Sequence, residues 1–206
     1  MSIKAVVFDF GNVLGFFSHL RAAKQLVPFA PDGVTAADIL TFLGDSDLET
    51  AFEEGRLTTA EVLARLRRRF DLRGSDEQLE RAAADMFTPN EPVCALVPLL
   101  RQQYRLVLLS NTNDLHYRHF RRQFAETLDH FHALVVSHEV GVRKPHPAVY
   151  DHARRRAGCL AGECLFIDDL PANVAAARAC GWQSVLYRKD DDFRELLLRA
   201  GVLLAV

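Results

Sequence analysis

Ala5-Val6-Val7-Phe8-Asp9-Phe10-Gly11-Asn12 is the stretch whose reading decides the fold. Four apolar residues run without interruption and stop at an acid, with glycine and asparagine close behind. A short continuous apolar run bounded by turn residues predicts a strand buried on both faces, as in a parallel sheet. Residues 106–109, ending at Ser110, repeat the pattern, as do 133–136 ending at Ser137, 164–167 ending at Asp168-Asp169, and 184–187. Helical stretches separate these runs. Residues 147–157 stop at Gly158 and 172–180 at Gly181, each glycine suiting the left-handed position beyond a helix. Asn90 before Glu91-Pro92 predicts an N-cap leading into Leu96, Val97, Leu99 and Leu100. Alternation of strand and helix predicts an α/β, Rossmann-like parallel sheet with helices on both faces.

Between residues 16 and 88 the rhythm changes to helical spacing with no strand-like run, which predicts an inserted bundle of about four helices. Thr58-x-x-Glu61 and Ser75-x-x-Gln78 read as capping boxes, Asp45 or Ser46 opens another helix, and Thr35 a fourth. The expected division is therefore a core of residues 1–15 and 89–206 with a helical cap of 16–88.

Composition narrows the function classes. A chain of 206 residues, at roughly 150 per domain, suits one core plus an insertion. With 25 basic against 27 acidic residues, no polyanion-binding face is expected, hence no nucleic-acid partner. The arginine clusters at 65–69 and 154–156 fall in helical patterns and read as solvated faces. Four cysteines without a C-x-x-C pair, and a start without a signal-like apolar region, predict a reduced, cytoplasmic setting. The apolar residues 196–206 are interrupted by Arg199 and fall short of the roughly 20 that a bilayer demands, so no membrane partner is expected. Leu203, Leu204 and Val206 could complete the core or dock on a second subunit, leaving monomer and homodimer both open.

In an open parallel sheet, ligands bind beyond the carboxyl ends of the strands, so the residues following each strand carry the chemistry. Here they are Asp9, then Ser110-Asn111-Thr112-Asn113, then Lys144, then Asp168-Asp169. Three carboxylates against one ammonium leave about −2, and each like-charge pair at 4 Å costs on the order of 4 kcal/mol at an effective dielectric near 20. A hard divalent cation is implied, and oxygen-only ligands suit Mg²⁺. Asp9 is the candidate nucleophile, Ser110 and Asn111 the phosphate binders, Lys144 the charge partner, and Asp169 with Asp168 the metal ligands. Asp168 could instead orient Lys144. Asn173 reads as a helix cap, with a bond to Asp169 as the alternative, and Asn12 and Asn113 as turn residues. The histidines at 116, 119, 130 and 132 lack the i, i+4 pair with an intervening glutamate that zinc sites use.

Residues 6–14, Leu106-Val107-Leu108-Leu109-Ser110-Asn111, Gly141-Val142-Arg143-Lys144-Pro145 and Leu165-Phe166-Ile167-Asp168-Asp169 resemble, in order, the four motifs of the haloacid dehalogenase-like hydrolase superfamily. The resemblance spans the whole chain, inserted cap included. It implies an Mg²⁺-dependent phosphatase acting on a small phosphorylated metabolite, such as a sugar phosphate, through an aspartyl-phosphate on Asp9. It also implies that the main-chain carbonyl of residue 11 joins the metal site. Asp-Phe-Gly-Asn-Val, Ser-Asn-Thr-Asn, Arg-Lys-Pro and the cap segment 52–58 are most similar to the branch holding α-glucose-1-phosphatase and the phosphatase domains of epoxide hydrolases.

One departure stands out. Most phosphatases of the superfamily carry an acid/base Asp two residues after the nucleophile; here that residue is Gly11. A good leaving group, a cap residue or an ordered water could compensate, and His19 and Glu53 are the cap-side candidates. Loss of efficient turnover is the alternative, giving a slow or noncatalytic phospho-ligand binder. A phosphotransferase or mutase, and a haloacid dehalogenase, rank lower.

Overall fold

The computed structural model describes residues 2–204. Its strands are β1 (Ala5–Phe8), β2 (Gly15–Phe17), β3 (Phe87–Pro89), β4 (Arg105–Ser110), β5 (Ala133–Val136), β6 (Cys164–Asp168) and β7 (Gln183–Leu186). Five of them form one parallel sheet in the order β5-β4-β1-β6-β7. Each expected run falls on a strand to within a residue. Successive strand residues point to opposite faces, and the core divides accordingly. Val6, Phe8, Leu106, Leu108, Leu165 and Ile167 enter one apolar cluster, while Ala5, Val7, Val107, Leu109, Cys164 and Phe166 enter another. Helices Pro147–Ala157 and Pro171–Ala179 cover the second face, and Asp114–Gln123 and Phe193–Arg199 the first. Gly158 and Gly181 hold φ of 67° and 81°, as the two helix stops require.

The cap comprises α1 (His19–Leu26), α2 (Ala36–Leu43), α3 (Ser46–Glu53), α4 (Thr59–Phe70) and α5 (Asp76–Ala84), one helix more than expected. Both capping boxes form: Glu61 N–H donates to Thr58 Oγ1 while Thr58 N–H donates to Glu61 Oε2, and Ser75 and Gln78 exchange the same pair. Asp45, not Ser46, caps α3, and Thr35 caps α2. Each such cap stabilises its helix by about 1 kcal/mol. Ile39, Leu48, Val62, Leu66, Phe70 and Leu79 bury one another in a separate cluster that Leu115, from the helix Asp114–Gln123, also enters.

Two expectations fail. The cap boundary holds strands after all, because β2 and β3 pair antiparallel, Gly15 opposite Pro89 and Phe17 opposite Phe87. Asn90 is not a side-chain cap: its amide donates to Val13 O and Tyr187 Oη, and the helix it precedes breaks into Glu91–Cys94 and Val97–Arg101. At the chain's end Val202 is buried and Leu204 packs on the core, whereas Leu203 is exposed; Val206 lies outside the described residues. Among the described residues no helix is long and apolar enough to cross a membrane.

Beneath the ribbon of β2 and β3 an aromatic cluster pins the chain just past Asp9. Phe10 stacks on Phe120 at 3.8 Å and meets Phe87 and Phe124 edge-on. Such pairs add about 0.5–1.5 kcal/mol each beyond burial. Gly15 is required there, since a Cβ would lie 2.9 Å from the Phe124 ring and 3.0 Å from that of Phe10. Asn12 takes φ of 54°, a left-handed conformation that asparagine tolerates, and its N–H donates to Gly15 O.

Candidate active site

Strand register brings the expected residues together. Phe8 lies between Leu108 of β4 and Ile167 of β6, so Asp9 leaves the sheet level with Asp168 and one residue short of Ser110. Strand order reverses between β1 and β6, the place where open α/β sheets bind ligands. Lys144 Nζ reaches in from the loop after β5, 2.8 Å from Asp9 Oδ1 and 2.7 Å from Asp168 Oδ2. All three side chains are buried.

Each charged group is held by named partners. The Lys144 main chain is clamped by Asn111, whose Oδ1 accepts from Lys144 N–H at 2.7 Å and whose Nδ2 donates to Lys144 O at 2.9 Å. Asp168 also accepts from Leu170 N–H, at 2.8 Å, and from Asn173 Nδ2, 3.1 Å from both oxygens. Asn173 therefore neither caps its helix nor meets Asp169, contrary to both sequence expectations; it sits in the first turn after β6 and faces back onto Asp168. Asp169 accepts from Asn12 Nδ2 at 2.9 Å, so Asn12 does more than shape a turn, whereas Asn113 caps the helix Asp114–Gln123. The Ser110 hydroxyl is buried beside Asp9, with a contact of only 3.4 Å to Asn111 O.

On Asp9 the two contacts, from Phe10 N–H at 2.6 Å and from Lys144, both fall on Oδ1. Among the described residues, Oδ2 has no hydrogen-bond partner. Burial pushes the Asp9 carboxyl up to about 8; Lys144 opposes the rise, and Asp168 and Asp169 add to it. Burial also raises Asp169. For Lys144 burial pulls downward, but the two carboxylates against its ammonium outweigh that and hold it above the usual lysine range. Negative charge is thus in excess here. Asp9, Asp168 and Asp169 offer one oxygen each within 4.8 Å of one another, the only such group of metal-capable side chains among the described residues. An all-oxygen, carboxylate-rich set suits a hard divalent cation.

Beside the turns that follow Asp9 and β4 opens a cleft lined by Gly11, Phe17, His19, Glu53, Ser110, Asn111, Thr112 and His116, among others. It adjoins a cavity of about 70 Å³ inside the cap, lined mainly by Ala22, Leu43, Leu48, Phe52, Val62, Leu63 and Leu66, with Glu49, Glu53, His19 and His116 at the junction. Desolvation pushes the half-buried His116 down to about 3, hence neutral, and its Nδ1 lies 3.0 Å from Asn113 Nδ2. One site residue was visible in the sequence only as part of a motif, with no role attached. Arg143, next to Lys144, reaches across to the cap, donating to Thr50 Oγ1 at 3.0 Å and pairing with Glu53 at 3.0 Å. A basic residue in a loop carries no signal of this unless the cap's docking is known.

A family model described as haloacid dehalogenase-like hydrolase matches residues 3–181. The chain belongs to the haloacid dehalogenase-like hydrolases. It is thus an enzyme, and the matched range encloses all four resembling segments. A D-ribitol-5-phosphate phosphatase of Bacteroides thetaiotaomicron is 27% identical over 95% of this chain and 97% of its own length. A glyceraldehyde 3-phosphate phosphatase of Methanopyrus kandleri is 26% identical over 91% and 84%. A haloacid dehalogenase family enzyme of B. thetaiotaomicron, solved with magnesium and inorganic phosphate, superposes with a TM-score of 0.79 at 25% identity, over 95% of this chain and 99% of that one.

Proposed function

We propose that this haloacid dehalogenase-like hydrolase is a phosphoric monoester hydrolase that uses Mg²⁺ to dephosphorylate small metabolites through an aspartyl-phosphate on Asp9. The observation that carries the reading is the asymmetry of Asp9: Oδ1 is fixed by Lys144 and Phe10 N–H while Oδ2 has no hydrogen-bond partner among the described residues. Oδ2 attacks phosphorus, the ester P–O bond breaks, and water later displaces the phosphate from Asp9. Ser110 Oγ and the main-chain N–H of Asn111 donate to phosphate oxygens, and Lys144 offsets their charge. The Asn111 side chain, committed to Lys144, acts by holding that lysine in place. Asp9, the Gly11 carbonyl and Asp169 would hold Mg²⁺, with Asp168 beside them and oriented mainly toward Lys144. Bound there, the ion neutralises the surplus carboxylate charge and polarises the phosphoryl group.

The cap cavity, small and mostly apolar with a few polar groups at its mouth, suits a compact leaving group. Relatives that act on ribitol 5-phosphate and glyceraldehyde 3-phosphate support substrates of that size, sugar and polyol phosphates among them. Phosphate release from a panel of such esters tests the reading. Turnover with Mg²⁺ that chelator abolishes and Asp9→Asn eliminates is expected; release that continues in excess chelator, or in Asp9→Asn, overturns it.

A further inference from the structure

In this structure the position that would carry the acid/base beside the nucleophile is blank chemically and partly filled sterically. Gly11 has no carboxyl, and a Cβ there would lie 3.0 Å from the Phe17 ring. Four titratable side chains line the same cleft: His19, Glu49, Glu53 and His116, of which Glu49, one turn before Glu53 on α3, has no side-chain partner among the described residues to hold it. His116 is neutral and tied to Asn113, which removes it as an acid. His19 is half-buried and packs its ring against Phe17 at 5.3 Å. Glu53 differs. It closes α3, its side chain is 15% exposed, and Arg143, the residue adjoining Lys144, pairs with it at 3.0 Å. The chain beyond α3 is seated on the core by Gly55, whose φ of 69° and lack of a Cβ let it lie against the His138 carbonyl, where any side chain would collide.

We propose that Glu53 is the proton donor and acceptor that Gly11 lacks. This rests on the phosphatase reading above. As Asp9 Oδ2 bonds to phosphorus, the electron pair of the breaking P–O bond stays on the ester oxygen, which takes the Glu53 proton and departs as alcohol. The Glu53 carboxylate then takes a proton from the water that attacks phosphorus, and the phosphorus–Asp9 bond breaks, restoring both groups.

The surroundings are consistent with a group poised for both roles. Burial pushes Glu53 up to about 7, with Arg143 and Lys144 opposing and Glu49 and Glu54 reinforcing. The facing groups are thus two carboxylates of its own segment, two cations from the loop after β5, and the imidazoles of His19 and His116 across the cleft.

The test is Glu53→Gln, which keeps size and polarity, assayed with Mg²⁺ on a primary-alkyl phosphate and on p-nitrophenyl phosphate, whose leaving group needs no proton. Expected are a loss of about 100-fold or more on the alkyl ester, first-turnover nitrophenol release within about tenfold of the parent, and build-up of protein-bound phosphate. In the parent, kcat/KM on the alkyl ester should fall above about pH 7 as Glu53 loses its proton, and that limb should vanish in the variant. Equal losses on both esters, an unchanged alkyl rate, or a limb that survives Glu53→Gln but disappears in His19→Asn would overturn the assignment. A parent protein that hydrolyses neither ester would instead sink the phosphatase reading itself.

Discussion

The two walls of the cleft are built on different plans. On the core side Lys144 and Asp168 are each fixed by several partners from separate elements: Lys144 by Asp9, Asp168 and Asn111, and Asp168 by Lys144, Leu170 and Asn173. On the cap side Arg143 alone reaches over, to Glu53 and Thr50, and the remaining lining of the cap cavity is chiefly apolar. Reaction chemistry needs groups held to fractions of an ångström, whereas choosing among leaving groups needs mainly shape. On the function proposed above, the core wall would serve one reaction for many substrates, and the cap wall is where substrates would differ.

Perturbing each wall in turn tests that contrast. The largest effect belongs to Asp9→Asn, which should lower kcat by about 10⁴-fold or more in a phosphate-release assay while the circular dichroism spectrum stays native. Next comes Lys144→Met, which strands two buried carboxylates and should cost about 3–5 kcal/mol in urea unfolding at pH 7; a loss below about 1 kcal/mol would mean the core wall is less interlocked than its contacts imply. Gly55→Ala should cost about 2 kcal/mol, because it forces a left-handed alanine into the His138 carbonyl, and it should raise KM more than it lowers kcat.

Smaller effects attend Glu53. Its folded value, near 7, exceeds the ordinary carboxylate value, so its contribution to stability is full below about pH 4.5 and lost as pH rises through about 7. Glu53→Gln should therefore be more stable than the parent at pH 8 by on the order of 1 kcal/mol, and scanning calorimetry across pH 5–8 measures it. A destabilised variant would show that the Arg143 pair outweighs the burial. The smallest expected effect is rescue: in the Glu53→Gln background, Gly11→Asp should recover on the order of tenfold in alkyl-ester turnover, since the exposed Phe17 ring has room to swing aside.

What could be read from the chain follows the same division. The buried strands announced themselves because their apolar runs of four or five residues, bounded by turn residues, are too short for a buried helix and suit a strand covered on both faces. Asp9, Ser110, Lys144 and Asp168 were found through those strand ends. The ribbon of β2 and β3 escaped because its strands are three residues each, half-exposed, and pair across some seventy positions of sequence. Helix α1 gave little notice: Ser18 caps it, but Arg21 stands where a box would place an acid, and only Ala22, Ala23 and Leu26 are buried. Asn173 was misread because five residues past Asp168 suggests a helix start, and only the turn between them shows it facing back. Glu53 and Arg143 were individually visible, yet their meeting depends on how α3 docks against the core, which local patterns do not encode.

Because Gly15 and Pro89 sit opposite each other in that ribbon, the polypeptide departs from the sheet and rejoins it at a single doorway. The five parallel strands contain nothing from the intervening stretch, so that stretch is a cassette with both splice points side by side. Lengthening, shortening or exchanging it leaves hydrogen bonding within the parallel sheet intact, because both of its ends leave from paired positions outside that sheet.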